Sequence, residues 1–545
     1  MPGSKRGATS AVMALVVLLL GFVLPPGTPA SSGPPNIVVV MFDDLDRVLF
    51  EDALPSLPAI SAVAARGASF DRYFASTPLC CPSRATFLRG QYPQNHGVLW
   101  NRGEPGGHGG FEAFHRLGRE SSTVGTWLQE AGYRTGLFGK YLNAYPMGAP
   151  DDWVPPGWDR WAVRHAEVRE IFYINYELNE DGALVAYGNA PGDYSTDVLA
   201  RMATSFIHDS ATDGRPFFLV VTPYAPHDPA TPAPRHADAF PDVQPPRSPA
   251  WNEDDISDKP AWVHALPVIT PDEQAAIDAG YRSRMRSLLA VDDLVADIEA
   301  TLAESGADNT VIVLVSDNGF HFGEHRVAWG KVTPYDESTR VPLIIAGPGV
   351  EPGTTIEQLA VNVDLAPTIA DLAGAEVPDF VDGRSLVPLL AGEPLPEWRE
   401  VALLRQFENV ADRPRRAGRA ARSERVNDRQ RGRTTQTDAA TPETDSSELG
   451  AGREESSAVA VTRRQFTQAE VPPFAALRGE DSLYVDYQSG EREYYDLASD
   501  PAALDNIIDE LSPEQAEALA AQLSALIECS GAACREAEGA ALPSS

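Results

Sequence analysis

Cysteine is scarce: the 545 residues hold four, Cys80, Cys81, Cys529 and Cys534. Cys80 and Cys81 are neighbours, and a bond between them would be strained, so they need another explanation than a disulfide. Cys529 and Cys534 lie close together near the C-terminus and are spaced to close a small loop, although spacing alone does not give the geometry. Positive charge is also in short supply. Forty-four Lys and Arg stand against 78 Asp and Glu, a net charge of −34. This excludes the basic footprint of a nucleic-acid binder. It also means that any anionic substrate must be met by a local cationic cluster, because the global field repels it. Long apolar runs are missing except at the N-terminus, and no internal repeat is present.

That N-terminal exception has a targeting pattern. Lys5 and Arg6 precede the apolar run Ala11 to Val23, and Thr28-Pro29-Ala30 follows with small residues suited to cleavage. The run is shorter than the roughly 20 residues that span a bilayer. The expectation is a signal peptide over 1–30, export to the extracellular space or cell envelope, and no stable membrane span after cleavage. No cysteine follows the run to carry a lipid anchor.

Further along, short β-branched apolar runs alternate with helical patterns. Asn36 to Met41, Phe217 to Thr222, Thr310 to Val315 and Pro342 to Ala346 read as buried strands. Leu57 to Arg66, Thr123 to Ala131 and Pro271 to about Ser305 read as helices, each closed by a glycine. In the last, Met285, Leu288, Leu289, Val291, Leu294, Val295, Ile298 and Leu302 recur at helical spacing. The alternation predicts an α/β fold with a large, mainly parallel central sheet flanked by helices. After Phe407 the composition changes. Nine arginines fall between Arg413 and Arg433, then a Thr/Asp/Glu/Ser-rich stretch follows. Residues 411–467 read as a disordered low-complexity insertion, with a basic arm for an anionic polymer as the sharper alternative. Two strands around Leu483–Tyr487 and Tyr494–Leu497, a turn at Ser489-Gly490 and a helix from Pro513 to Glu528 predict a smaller C-terminal α+β domain with a short antiparallel sheet, over 474–535.

Each main strand ends in polar residues, where open parallel sheets bind their ligands. The first ends in Asp43-Asp44, the third in Ser316-Asp317-Asn318-Gly319, and the second runs on to Ala225-Pro226-His227-Asp228. Taken singly, an Asp pair after a strand is more often a turn or a helix cap. The run Leu79-Cys80-Cys81-Pro82-Ser83-Arg84-Ala85-Thr86-Phe87-Leu88-Arg89-Gly90 changes that balance. It resembles the signature of the formylglycine-dependent sulfatases, in the alkaline phosphatase-like superfamily. Pro82 and Arg84 set the register and select Cys80 rather than Cys81 as the residue converted to formylglycine. Asn36 to Asp44, Gly139-Lys140-Tyr141-Leu142-Asn143, Ala225-Pro226-His227, Ser316 to Gly319, Lys331 with Pro334-Tyr335-Asp336 and Arg340 to Leu343, Asp364 to Thr368 and Asp382 to Leu386 resemble further motifs of that family. The likeness covers 35–403, the expected catalytic domain, and resumes from Phe474 to Ile508. Cys80 to Arg84 with Tyr92-Pro93-Gln94-Asn95-His96 is most similar to N-acetylglucosamine-6-sulfatases and extracellular heparan endosulfatases. Many arylsulfatases carry a Trp-His pair after the lysine that matches Lys140; that histidine is absent here, and Asn143 is the candidate for its place.

The resemblance implies a sulfuric ester hydrolase acting on a sulfated carbohydrate, matured by a formylglycine-generating enzyme. Position 80 would become a hydrated aldehyde whose hydroxyl attacks sulfur. Asp43, Asp44, Asp317 and Asn318, with position 80, would hold Ca2+, or alternatively Mg2+, through oxygen ligands. Arg84 would hold the diol and Lys140 and Lys331 the sulfate oxygens; His227 or Lys331 would protonate the leaving alcohol. His321 and His325 lie near the second metal motif and are weaker candidates for substrate contact. Arylsulfatase, phosphonate or phosphodiester hydrolase, and an inactive glycan-binding relative remain as alternatives.

Overall fold

In the computed structural model, Asn36–Phe42 forms strand β1, and its apolar side chains are buried on both faces. Val38, Val40 and Phe42 enter one hydrophobic core; Ile37, Val39 and Met41 enter another. Such a strand belongs inside a sheet that is covered on both sides. The structure describes residues 1, 3, 33–102, 106–165, 173–393, 395, 397–408 and 471–540. The chain divides into two units, Met1–Gly33 and Pro34–Ser545, and the sheets, the helices and the site all belong to the second. The expected insertion, and the expected signal peptide apart from Met1 and Gly3, lie outside the described residues.

The sheet around β1 has ten strands. The others are β2 (Gly67–Phe70), β3 (Arg134–Gly139), β4 (Arg160–Arg164), β5 (Tyr176–Glu180), β6 (Ala183–Tyr187), β7 (Phe217–Thr222), β8 (Thr310–Ser316), β9 (Leu343–Ala346) and β10 (Thr354–Ile356). Across the sheet the order is β10-β2-β9-β8-β1-β7-β3-β4-β5-β6. The central block β8-β1-β7-β3-β4 is parallel. The strand at Leu343–Ala346 is present but runs antiparallel to both its neighbours, and β5 and β6 add an antiparallel edge. The Asn36 side chain stitches the centre together: its amide donates to Thr310 Oγ1 and its oxygen accepts from Phe217 N. This fixes the register of β8, β1 and β7, so that their C-terminal ends open at one place.

Four helices matter for the site. Helix α1, Cys80–Arg89, is buried along its whole length. It stops at Gly90, which has φ 62°; a Cβ there would meet Val381 Cγ1 at 2.9 Å. Helix α2 is Ser195–Asp213. Helix α3, Pro271–Glu304, starts with Thr270 and Glu273 capping each other and carries Pro271 at its first position. Of the eight apolar residues read at helical spacing, all but Leu289 are fully buried. Helix α4 is Pro513–Glu528. Among the described residues no single helix is long and apolar enough to cross a membrane.

A second, four-stranded antiparallel sheet joins β11 (Ala402–Gln406), β12 (Phe474–Arg478), β13 (Ser482–Tyr487) and β14 (Arg492–Asp496). The chain leaves this sheet after β11 and re-enters it at β12. Helix α4 and the Cys529–Cys534 disulfide pack with it, S–S 2.00 Å. The C-terminal segment is tied back by a buried ionic cluster. Arg399 is fully buried, donates to both Asp364 oxygens and reaches Glu538 at 3.0 Å. Glu538 also accepts from Arg384 and from the Tyr92 hydroxyl. Asp382 receives Tyr92 N, Asn95 Nδ2 and Gly531 N. Several motif residues of the sequence therefore serve this junction rather than the chemistry. Arg399→Met leaves Asp364 buried without its cation and Glu538 with Arg384 alone, and the expected cost is about 3–5 kcal/mol, read from the urea unfolding midpoint.

Candidate active site

The parallel strands deliver polar groups to one point. Asp43 and Asp44 follow β1 directly. Asp317 and Asn318 follow β8, and Lys140 follows β3. Gly139 makes the last placement possible. Its φ is 118°, and a Cβ there would meet the Thr222 carbonyl oxygen at 2.1 Å. The close approach lets Lys140 N donate to Thr222 O at 2.9 Å, which turns the lysine side chain into the cluster. Cys80 opens helix α1, a position where the helix dipole favours negative charge.

Cys80 Sγ lies 3.8 Å from Asp43 Oδ1 and 3.6 Å from Asp44 Oδ1. Lys331 Nζ is 2.7 Å from the same sulfur and also contacts Asp44 Oδ1 and Asn318 Oδ1. Lys140 Nζ donates to both Asp43 oxygens, at 2.7 and 2.6 Å. Asn318 Nδ2 donates to Asp44 Oδ1 at 2.8 Å. His227 Nε2 is 3.8 Å from Asp44 Oδ2, while its Nδ1 sits 2.6 Å from the Asp228 carbonyl oxygen. That carbonyl can only accept, so Nδ1 carries a proton in either charge state, and Nε2, which faces the carboxylates, holds the second proton of the imidazolium form. Arg84 donates from Nε to Asp317 Oδ2 at 2.7 Å and from Nη1 to Lys140 O at 2.9 Å.

Every candidate of the sequence analysis at Asp43, Asp44, Cys80, Arg84, Lys140, His227, Asp317, Asn318 and Lys331 lies in this cluster. Among the described residues, one ligand atom from each of Asp43, Asp44, Cys80 and His227 lies within 4.8 Å of the others. Asp317 stands behind it, with Oδ1 accepting from Asp44 N and Oδ2 from Arg84. His321 and His325 are elsewhere. Both are buried; His321 Nε2 pairs with Thr333 Oγ1, and His325 binds Glu253 and stacks on Tyr335. Asn143 Oδ1 is buried without a hydrogen-bond partner among the described residues. Four residues join the site that the sequence analysis gave no role. Ser83 donates to Asp317 O, Asn362 donates to Ser83 Oγ, Asn101 accepts from Cys81 N, and Arg284 donates to Asp44 O. Ser83 lies inside the signature run and Asn362 directly follows the short strand Ala360–Val361, whereas Asn101 and Arg284 sit in no recognisable spacing.

Burial and charge oppose each other throughout the cluster. Burial alone would raise Asp43, but Lys140, His227 and Arg84 outweigh it and hold it below its ordinary value. Burial likewise opposes ionisation of Asp44, and Lys331, His227 and Lys140 hold it well below. Burial raises Asp317 in spite of Arg84. Burial pushes the Cys80 thiol up to about 12, against the pull of Lys140 and Lys331. The encoded thiol is therefore a poor nucleophile at neutral pH. The donors fit a hard divalent cation: ionised carboxylates and an amide oxygen, with the thiol and the His227 imidazole as the two softer groups.

Comparison with known proteins agrees with this chemistry. The family model described as Sulfatase matches residues 35–375. The chain is 32% identical to human N-acetylglucosamine-6-sulfatase over 544 residues, covering 98% of this chain and 92% of that protein. It is 33% identical to a putative extracellular sulfatase Sulf-1 homologue of Caenorhabditis elegans, over 68% of this chain and 52% of that one. A solved structure in complex with its substrate D-glucosamine-2-N,6-O-disulfate superposes with TM-score 0.67 at 23% identity, covering 90% of this chain and 97% of its own.

Proposed function

Because the chain belongs to the sulfatase family and is a sulfuric ester hydrolase, we propose that it is an exported enzyme that removes 6-sulfate groups from N-acetylglucosamine-type residues of sulfated glycans. The observation that carries this reading is the convergence of two lysines and two ionised carboxylates on Cys80 at the strand ends. Sugar specificity rests on the near-full-length likeness to the N-acetylglucosamine-6-sulfatase, and export on the N-terminal targeting pattern.

In this reading Cys80 is converted to formylglycine, and Asp43, Asp44, Asp317 and Asn318, with position 80, would hold Ca2+ or Mg2+. The hydrated aldehyde would supply the attacking oxygen, and the cation, when bound, would supply Lewis acidity toward the sulfuryl group. The protein's own residues do the rest. Arg84 is locked on Asp317 and on the Lys140 carbonyl, its Nη2 lies 3.8 Å from Asp43 Oδ1, and its fork is the group that would hold the diol at position 80. Lys140 and Lys331 meet the sulfate oxygens as charge builds, in a water-poor site where such charges act strongly. They also give a chain of net charge −34 the local positive field that an anionic substrate needs. His227, at the rim with 21% of its side chain exposed, gives a proton to the leaving alcohol.

Two measurements test the proposal. Mass spectrometry of the peptide spanning Cys80 is expected to show the lower mass of the aldehyde in active preparations. Turnover of N-acetylglucosamine-6-sulfate is expected to exceed that of the matching phosphodiester; faster phosphodiester turnover would overturn the sulfate-ester assignment.

A further inference from the structure

Asp44 has φ 65°, in the left-handed region. For a residue other than glycine this conformation is strained and persists only where its surroundings impose it. Here both sides of its backbone are held. Asp44 N donates to Asp317 Oδ1 at 3.0 Å, and the Asp44 carbonyl accepts from Arg284 Nη2. The next residue, Leu45, is held by Ser316 Oγ at 2.9 Å. This conformation aims the Asp44 carboxylate at Asn318, Lys331 and Cys80.

Arg284 is an unusual partner. It lies in the middle of helix α3 and is fully buried. A buried guanidinium normally spends its donors on a carboxylate. Arg284 Nε and Nη1 instead have no hydrogen-bond partner among the described residues, and its one such bond is to the Asp44 carbonyl. Its plane is held by rings, 4.3 Å from the Phe320 centroid and 5.3 Å from that of Phe322. Those rings lie just beyond Asp317-Asn318, so one side chain ties helix α3 to both carboxylate-bearing strand ends. Gly280, one turn earlier, lets Trp329 approach so closely that a Cβ would meet its ring at 2.3 Å. Trp329 in turn donates to Asp228, the neighbour of His227.

We infer that Arg284 is a positioning residue for the cation site: it holds the Asp44 peptide in its left-handed conformation, and so keeps the Asp44 carboxylate turned toward the metal position. This rests on the reading that Asp43 and Asp44 hold the cation. A lysine cannot replace it fully, because lying over a ring while donating to a carbonyl suits the planar fork.

Calorimetric titration of the metal-stripped full-length protein with Ca2+ tests this. Arg284→Met is expected to weaken Ca2+ binding by about 10–100-fold, the usual effect of losing a group that orients a ligand. Arg284→Lys is expected to fall between it and the parent, and decides the matter if Arg284→Met does not fold. Leu288→Ala, at a buried core position on the same helix, is expected to lower the melting temperature while leaving Ca2+ affinity unchanged. Raising Ca2+ to saturation is expected to restore part of the lost kcat in the Arg284 variants. Asp44→Asn separates the role of Arg284 from the cation site it serves. If Asp44→Asn abolishes Ca2+ binding while both Arg284 variants keep the parent affinity, the inference is overturned and the site stands. If Asp44→Asn binds Ca2+ as the parent does, the cation site itself is overturned.

Discussion

Cys80→Ala is expected to lower turnover of sulfate esters by about ten-thousand-fold or more, the scale on which removal of a covalent nucleophile acts, while Cys81→Ala stays within about tenfold of the parent. The two thiols do not differ in acidity, since burial pushes both to about 12. Geometry separates them. Cys80 Sγ faces Lys331, Asp43 and Asp44. Cys81 is fully buried in the hydrophobic core beneath the helix and contributes its backbone N–H to Asn101. Losing its sulfur leaves a small void, worth on the order of 1 kcal/mol. Steady-state rates of both variants on an aryl sulfate, beside mass spectra of their position-80 peptides, make the comparison. Activity surviving Cys80→Ala would remove position 80 from the mechanism.

The second large effect separates His227 from Lys331 by the leaving group. A sugar alkoxide is a poor leaving group and needs a proton in the transition state; an activated phenolate does not. His227→Ala is therefore expected to lower kcat/KM on N-acetylglucosamine-6-sulfate by about 10²–10⁴-fold, and to leave a nitrophenyl sulfate within about tenfold of the parent. Lys331→Met is expected to depress both substrates alike, by about 10²–10³-fold, because a cation that meets the sulfuryl oxygens acts whatever leaves. The structural basis is the difference in posture. Lys331 is anchored on Asp44, Asn318 and Cys80 inside the site, whereas His227 offers Nε2 from the rim. If His227→Ala falls equally on both substrates, its role is not that of the acid.

Much of the fold was legible because periodicity is a local property. The strands at Asn36, Phe217 and Thr310 stand out as continuous β-branched runs, and such runs occur where both faces are buried. Helix α4 spans the residues its pattern marks, with Ser512 and Gln515 capping it. The edge strands β5 and β6 were not legible. β5 mixes Glu177, Asn179 and Glu180 with its apolar residues, and β6 is apolar but short and without a buried residue. Helix α2 also escaped notice, since Thr, Ser and Asp interrupt its buried stripe of Val198, Leu199, Ala203, Phe206 and Ile207. The direction of β9 was not readable at all, because a strand's sequence does not say which way its neighbour runs.

The site divides along the same line. By itself the sequence nominated the residues proposed to carry the chemistry: the family register of Pro82 and Arg84 picks Cys80 from its neighbour, and the motifs that resemble the family's supply the carboxylates, both lysines and His227. Those assignments rest on the resemblance of short local motifs to the family's, and such motifs are stated directly by the chain. Tertiary structure alone decided how the charges balance and what holds them still. It paired Lys140 with Asp43 and Lys331 with Asp44, moved His321 and His325 out of the site, and set Arg284, 240 residues along the chain, on the Asp44 carbonyl. Partners so far apart in sequence meet only when the sheet and helix α3 pack together, and no local pattern encodes that meeting.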